Sequence, residues 1–339
     1  DCAIIRMNCS ALKDKDLRME ENIPTFDLHR HLEGAIRLET VIEVSHKHHL
    51  PLPAWTVAEL QPHAWIQKPT SDILLLLPKF DLLRQVFVDD DACRRVTIEC
   101  LQDAQNQGVD YLELRFSPLF MAEMHNLDPF SVTAAVCEGW REFDRDAKLR
   151  SSLLVILSRT YGVDACETEL QCGLQYRRAG VSGIDLAGDE ARHPAGEFKT
   201  LFARARAAGL KITAHAGEFA GADSVRETIE TLLPDRLGHA VHAVDDPHVM
   251  DLIRERGIAV ECCPTSNVLT TAVADMREHP LPQFLRQGIL ATINTDDPAL
   301  MGDLTLADEY RNAREIMGCS EEELACARRN ARQAAFVQV

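Results

Sequence analysis

No apolar run in this 339-residue chain approaches the ~20 residues that a membrane-spanning helix needs. The stretch Asp1–Arg18 is polar and mixed, without the apolar core of a signal peptide. It reads as a disordered leader, with Met19 as an alternative start. The chain has no Gly-x-Gly-x-x-Gly and no Walker-type loop, so it lacks the signature of a nucleotide-cofactor sheet. Positive charge is in short supply, 36 Lys and Arg against 53 Asp and Glu. A net charge of −17 argues against a nucleic-acid backbone or an anionic membrane as partner. The 11 cysteines include no Cys-x-x-Cys pair and show no regular spacing. An odd, scattered set reads as reduced cytosolic thiols, which points to a cytoplasmic protein. Cys262 and Cys263 fall in an expected strand, where cysteine serves as a small buried hydrophobe. No internal repeat, low-complexity segment or domain linker is visible.

What is present suits a large folded enzyme. Hydrophobic residues make up 46% and charged residues 26%, enough for a sizeable core and inconsistent with disorder. Eight short apolar runs recur along the chain, at 24–29, 109–116, 153–158, 181–186, 210–215, 236–239, 258–263 and 289–294. They are rich in Val, Ile and Leu and lack strict alternation, as parallel strands buried on both faces do. Amphipathic segments separate them, at 90–107, 128–148, 196–208, 224–233 and 246–255. The alternation predicts an α/β fold, a closed (β/α)8 TIM-type barrel, as one domain over residues 19–339. The long stretch 38–90 between strands one and two predicts an extra helical cover over the barrel mouth, with a helix at 71–88. The tail 305–339 reads as two helices closing the barrel.

Three segments carry the chemistry: His29-Arg-His31, His215-Ala-Gly-Glu218 and Asn294-Thr-Asp-Asp-Pro298. Each sits at the C-terminal end of an expected strand, where barrel enzymes keep their catalytic groups. His29 and His31, two apart on a strand, point the same way. The Ala-Gly between His215 and Glu218 allows a tight turn that aims both groups at one point. His239 ends the sixth strand between small neighbours. Asp296 and Asp297 are adjacent, so one can bind metal while the other meets substrate. Singly, each has a plain structural explanation: a packed histidine, a polar loop, a helix N-cap. Jointly they form the inventory of a mononuclear metal hydrolase that makes hydroxide from water at neutral pH.

The chain resembles the adenosine deaminase family of amidohydrolase-type barrels. The matching segments are HRHLEGAIR (29–37), ELRFSP (113–118), DLAGDE (185–190), HAGE (215–218), RLGH (236–239), CPTSN (263–267) and NTDDP (294–298). The resemblance implies one zinc ion held by His29, His31, His215 and Asp296. It implies that Glu218 protonates the purine N1, that His239 assists the attacking water, that Asp297 contacts N7 and that the Gly188 backbone contacts N3. It also implies an apolar gate from Leu76, Leu77 and Phe80 on the helical cover. The expected partner is a small purine nucleoside, with no protein partner. A separate zinc deaminase class relies on Pro-Cys-x-x-Cys, which is absent here.

The sequence departs from the family pattern at three positions. Glu33 stands where Asp is usual, the residue that meets the ribose 5′-hydroxyl. Deaminases of free adenine, or of 5′-modified adenosines (aminofutalosine-like), resemble the chain there. Free-adenine deaminases usually carry Asp before the catalytic His, whereas this chain has Gly238. Ala240 replaces the more usual Gly, and Leu76 stands where an aromatic is common. The expected reaction is zinc-dependent deamination of adenosine and 2′-deoxyadenosine. Free adenine and 5′-modified adenosines stay open as substrates. A non-catalytic relative acting as a binding protein is the remaining alternative, although every matched position is filled.

Overall fold

The computed structural model describes residues 23–70, 76–145 and 147–337. Residues 1–18, expected as a leader, lie outside them. The apolar runs become eight strands: β1 (Phe26–His31), β2 (Tyr111–Phe116), β3 (Arg150–Ser158), β4 (Val181–Ala187), β5 (Lys211–Ala216), β6 (Arg236–His239), β7 (Ala259–Cys262) and β8 (Leu290–Ile293). They are buried on both faces and pair in parallel in sequential order. The ring closes just past β8. His31 N donates to Asp296 O at 2.9 Å, and Asp296 N donates to His29 O at 2.8 Å. β1 runs to His31, two residues beyond the expected end, paired with Leu114 and Arg115 of β2 on one side and with the Asp296 loop on the other, which fixes both histidines. The expected (β/α)8 barrel is the observed fold.

The helices are α1 (Leu38–His48), α2 (Val57–Ala64), α3 (Leu77–Arg84), α4 (Asp90–Asn106), α5 (Pro118–Glu123), α6 (Pro129–Asp144), α7 (Val163–Tyr176), α8 (Lys199–Ala207), α9 (Ala222–Leu232), α10 (Pro247–Arg256), α11 (Pro264–Leu269), α12 (Leu281–Arg286), α13 (Leu306–Glu315) and α14 (Glu321–Ala334). Their starts follow capping chemistry. Asp89, Asp128 and Asp246 each accept an amide of the first turn, and Thr305 and Ser320 form capping boxes. The expected helix at 128–148 stops at Asp144, because Gln105 Oε1 accepts the Lys148 and Leu149 amides instead. The expected helix at 196–208 opens as a 3₁₀ turn, Ala195–Phe198, before α8. The cover between β1 and β2 is α1 to α4. Its mouth helix is α3, shorter than the expected 71–88. Residues 71–75 lie outside the described ones, and tight turns at Val86 and Val88 end it.

The barrel floor is sealed by the tail. Asn330 Nδ2 donates to Ala291 O at 3.0 Å, and Arg236 Nη1 donates to Ala334 O at 2.8 Å. The Phe336 ring lies 3.4 Å from the Arg236 guanidinium. Nine cysteines are described, including Cys262 and Cys263, and all are buried free thiols. Among the described residues no helix is long and apolar enough to cross a membrane.

Candidate active site

The C-terminal strand ends bring the expected residues together. His29 and His31 come from β1, His215 from β5, His239 from β6, and Asp296 follows β8. His29 Nε2 lies 3.1 Å from His215 Nε2, 3.3 Å from His31 Nε2 and 3.3 Å from Asp296 Oδ1. His31 Nε2 is also 3.3 Å from Asp296 Oδ1. Ligand atoms of His29, His215, His239 and Asp296 all fall within 4.8 Å of one another, and all four residues are buried. The barrel therefore gathers four imidazoles and a carboxylate.

The donor set fits a metal ion on chemical grounds. His29 Nδ1 lies 2.7 Å from Glu261 Oε2, and His215 Nδ1 lies 3.1 Å from Asp185 Oδ1. Ionised carboxylates accept only, so each Nδ1 bears the proton and each Nε2 presents a bare lone pair. Two bare lone pairs 3.1 Å apart repel unless a cation lies between them. Tetrahedral bonds of about 2.0–2.1 Å put ligand atoms roughly 3.3 Å apart, the spacing seen here. The charges around the imidazoles register the same demand. Burial pulls His29 down and Arg115 opposes its protonation, yet Asp296 and Glu261 outweigh both and raise its pKa. Burial pulls His31 down to about 4, keeping it a neutral ligand.

Behind the imidazoles stands a buried charge network. Glu261 on β7 also receives Arg115 Nη2 at 2.8 Å and Thr213 Oγ1 at 3.0 Å. Arg115 Nη1 reaches Asp185 at 2.7 Å, and Arg236 pairs with Glu113. Unpaired, these groups would carry a heavy desolvation penalty. Paired, Arg115 and Arg236 hold Glu261 well below the usual carboxylate range against the opposing effect of burial.

Three more carboxyls face the same space with unlike proton affinities. Burial and then Asp296 and Glu190 raise Glu218 well above its usual range. Burial, Asp296, Glu33 and Glu218 do the same to Asp297. Burial pushes Glu33 up to about 8. Asp296 is the opposite case: His29 and His31 overcome its burial and keep it ionised. Glu218 is aimed by Glu190, whose carboxylate accepts the amides of Gly217 (2.6 Å), Glu218 (3.1 Å) and Phe219 (2.9 Å). Gly217 sits at φ 69°, which the tight turn between His215 and Glu218 requires. His239 Nε2 lies 3.4 Å from Glu218 Oε2. His239, Ala240 and Asp296 all hold left-handed backbone, with φ of 60°, 49° and 63°. Such strain in non-glycine residues clusters at functional sites.

A cavity of about 320 Å³ opens from this centre. Its lining includes His31, Glu33, Ser117 and Gly188 together with Leu77 and Phe80 of α3. Leu76, expected in the gate, is buried at the head of α3 and does not line the cavity. Glu33 Oε1 accepts the Ser117 amide at 2.6 Å, while its Oε2 and Asp297 Oδ1 are buried without partners. At the mouth Arg84 is neutralised by Asp81 and Glu123, each at 2.8 Å. A larger cleft of about 550 Å³ lies on the barrel wall between α1 and α4. Its charges pair with one another, Arg37 with Asp103 and Arg95 with Glu99.

Sequence reasoning gave no role to Glu261, Asp185, Arg115, Glu190 or Gly34. The signal available was charge inside buried strands: Glu113 and Arg115 in β2, Asp185 in β4 and Glu261 in β7. A Cβ at Gly34 would lie 1.8 Å from Asp297 Oδ1, so this glycine makes room for that carboxyl.

Residues 24–339 match the model of a family described as adenosine deaminase. The chain is 44% identical over 319 residues to the adenosine deaminase of Serratia proteamaculans, covering 94% of this chain and 96% of that one. The adenosine deaminase of Yersinia enterocolitica is 43% identical over the same length, with the same coverage. Among solved structures, an Arabidopsis N6-mAMP deaminase superposes with a TM-score of 0.80 at 26% identity, over 95% of this chain and 96% of that one. An adenine deaminase from Arthrobacter aurescens gives 0.84 at 24% identity, over 93% and 94%, which speaks to fold alone.

Proposed function

The chain belongs to the adenosine deaminase family, a hydrolase that deaminates an adenine-derived substrate, and on that premise we propose that its substrates are adenosine and 2′-deoxyadenosine. The products are the 6-oxo nucleosides and ammonia. The observation that carries the reading is the split among neighbouring carboxyls. Asp296 is held well below the usual carboxylate range by His29 and His31, while burial and neighbouring carboxyls raise Glu218 and Asp297 well above it. Groups whose surroundings drive their proton affinities apart mark acid and base assignments.

We assign His29, His31, His215 and Asp296 to the zinc, leaving His239 for the water. Zinc bound there supplies, at neutral pH, a water acidic enough to attack as hydroxide. The remaining steps belong to the protein. Glu218, protonated and buried, delivers a proton to N1 and makes C6 electrophilic. The water oxygen bonds to C6, with His239 facing it. Asp297, its pKa likewise raised well above the usual range, is assigned as the donor to N7. The Gly188 backbone, at φ 105° beside the cavity, meets N3. Of the water's two protons one returns to Glu218 and the other passes to N6, so that the C6–N6 bond breaks as the 6-oxo group forms and ammonia leaves.

Substrate choice rests on three features. Glu33 lines the cavity and its Oε2 is buried without a partner, which suits a hydrogen bond with the ribose 5′-hydroxyl. Among the described residues, the only arginine lining that cavity, Arg84, is already balanced by two carboxylates, which favours a nucleoside over a phosphorylated one. A Cβ at Gly238 would lie 3.0 Å from His29 Cε1 and 3.3 Å from His215 Cγ, so the glycine lets both imidazoles pack closely and puts no carboxylate where free-adenine deaminases usually carry one. The buried free thiols support a reducing, cytoplasmic setting. Ammonia release from adenosine, 2′-deoxyadenosine, adenine, AMP and 5′-modified adenosines tests the assignment. Adenosine and its 2′-deoxy form should lead. Faster turnover of adenine or of a 5′-modified adenosine would reject it.

A further inference from the structure

A chain of hydrogen bonds runs from a backbone amide to the ring of His239. The Leu281 amide donates to His279 Nδ1 at 3.1 Å. An amide N–H cannot accept, so that ring nitrogen carries its lone pair. Burial pulls His279 down to about 3, so the ring is neutral and bears its single proton on Nε2. His279 Nε2 lies 3.1 Å from the Asn267 side-chain oxygen, the end that can accept it. The NH₂ end of Asn267 is thereby turned to His239 Nδ1, at 3.0 Å. His239 Nδ1 therefore accepts, and its proton sits on Nε2. That nitrogen points inward, 3.4 Å from Glu218 Oε2 and 3.9 Å from Asp296 Oδ2. All three side chains are buried, so no solvent competes for these bonds.

We propose that His279 and Asn267 are positioning residues that lock His239 in the Nε2–H tautomer, so that it offers a hydrogen-bond donor to the attacking oxygen. The contrast within the site is instructive. Glu261 and Asp185 are acceptors behind His29 and His215, and they turn bare Nε2 lone pairs inward. Asn267 is a donor behind His239, and it turns an N–H inward. One cluster of imidazoles is thus sorted by the group at the back of each ring. His239 lies within the ligand cluster but has no lone pair to give a metal. What His239 does for the water rests on the functional reading above. Its tautomer does not.

The test uses the zinc-loaded enzyme labelled with ¹⁵N-histidine. Long-range ¹H–¹⁵N correlations report which ring nitrogen of His239 and of His279 carries the proton. Both should show protonated Nε2 and bare Nδ1. Asn267→Asp places an acceptor behind His239 and should move its proton to Nδ1. With zinc still at one per chain, kcat should fall about ten- to a hundredfold and KM by less than about threefold, the scale of losing an orienting partner. His279→Gln keeps a donor toward Asn267 and should preserve both the tautomer and kcat, whereas His279→Leu should lower kcat. Protonated Nδ1 on His239 in the unaltered enzyme would overturn the proposal, with no variant needed. So would Asn267→Asp with unchanged tautomer and kcat. An enzyme that releases no ammonia from any purine yet shows the stated tautomers would reject the functional reading and support the relay.

Discussion

Gly34→Ala adds one methyl group, and the structure says where it goes. The new carbon lies 1.8 Å from Asp297 Oδ1, 2.5 Å from its Cγ and 2.6 Å from its Cβ. Non-bonded carbon contacts settle near ~3.5 Å, so the carboxyl must retreat by roughly 1–2 Å. Its loop is tethered: Leu300 N donates to Asp297 O at 3.0 Å, and Ala299 N donates to Gly34 O at 2.8 Å. Gly34 itself is not at positive φ, so its own backbone accepts alanine and the conflict is with Asp297 alone. Misplacing a catalytic group by about 1 Å costs on the order of a hundredfold. The expected loss in kcat/KM for adenosine is about that size, close to ~3 kcal/mol at ~1.4 kcal/mol per tenfold. Steady-state absorbance at the adenosine-to-inosine change measures it, and metal analysis should still find one zinc per chain. Asp297→Gly removes all three atoms the methyl meets, so Gly34→Ala in that background should add less than about a threefold loss. Gly34→Ala alone within about threefold of wild type, or a full further loss in the Asp297→Gly background, would refute the reasoning.

Glu218→Gln keeps the shape but carries no transferable proton. We expect kcat to fall at least ~10²–10⁴-fold with zinc retained, and near-normal turnover would assign the proton elsewhere. Chelation should abolish activity and lower Tm by several degrees, because the bare His29 and His215 lone pairs then face each other. Zinc should restore both, and an active metal-free protein would contradict the site assignment. Glu169 is buried and raised to about 7 against 4.5 when unfolded, while it holds Ser117 Oγ and the Ser158 amide. Its contribution is complete below pH 4.5 and is lost as pH rises toward 7. The fall is on the order of 3 kcal/mol, and Glu169→Gln should flatten that part of a stability–pH curve measured by denaturant melts.

The sequence by itself determined the barrel and the chemical inventory. Unbroken apolar runs can be satisfied only by strands covered on both faces, and eight of them alternating with helices close on themselves. The expected groups then fell at strand ends, where a closed parallel barrel turns side chains to one mouth. Boundaries were less legible. Extension of β1 to His31 depends on Arg115 and Asp296, both far along the chain, and the end of α6 depends on Gln105. Tertiary structure alone decided what each group is chemically. A carboxyl's proton affinity and an imidazole's tautomer are set by whatever lies within hydrogen-bond reach. Glu218 holds a proton more tightly than an ordinary carboxyl because it is buried beside Asp296 and Glu190. His29 and His215 present lone pairs because Glu261 and Asp185 stand behind them, and His239 presents a proton because Asn267 does. Those partners come from other strands and loops of the ring, so no local spacing encodes them. Only closure of the barrel brings them into contact.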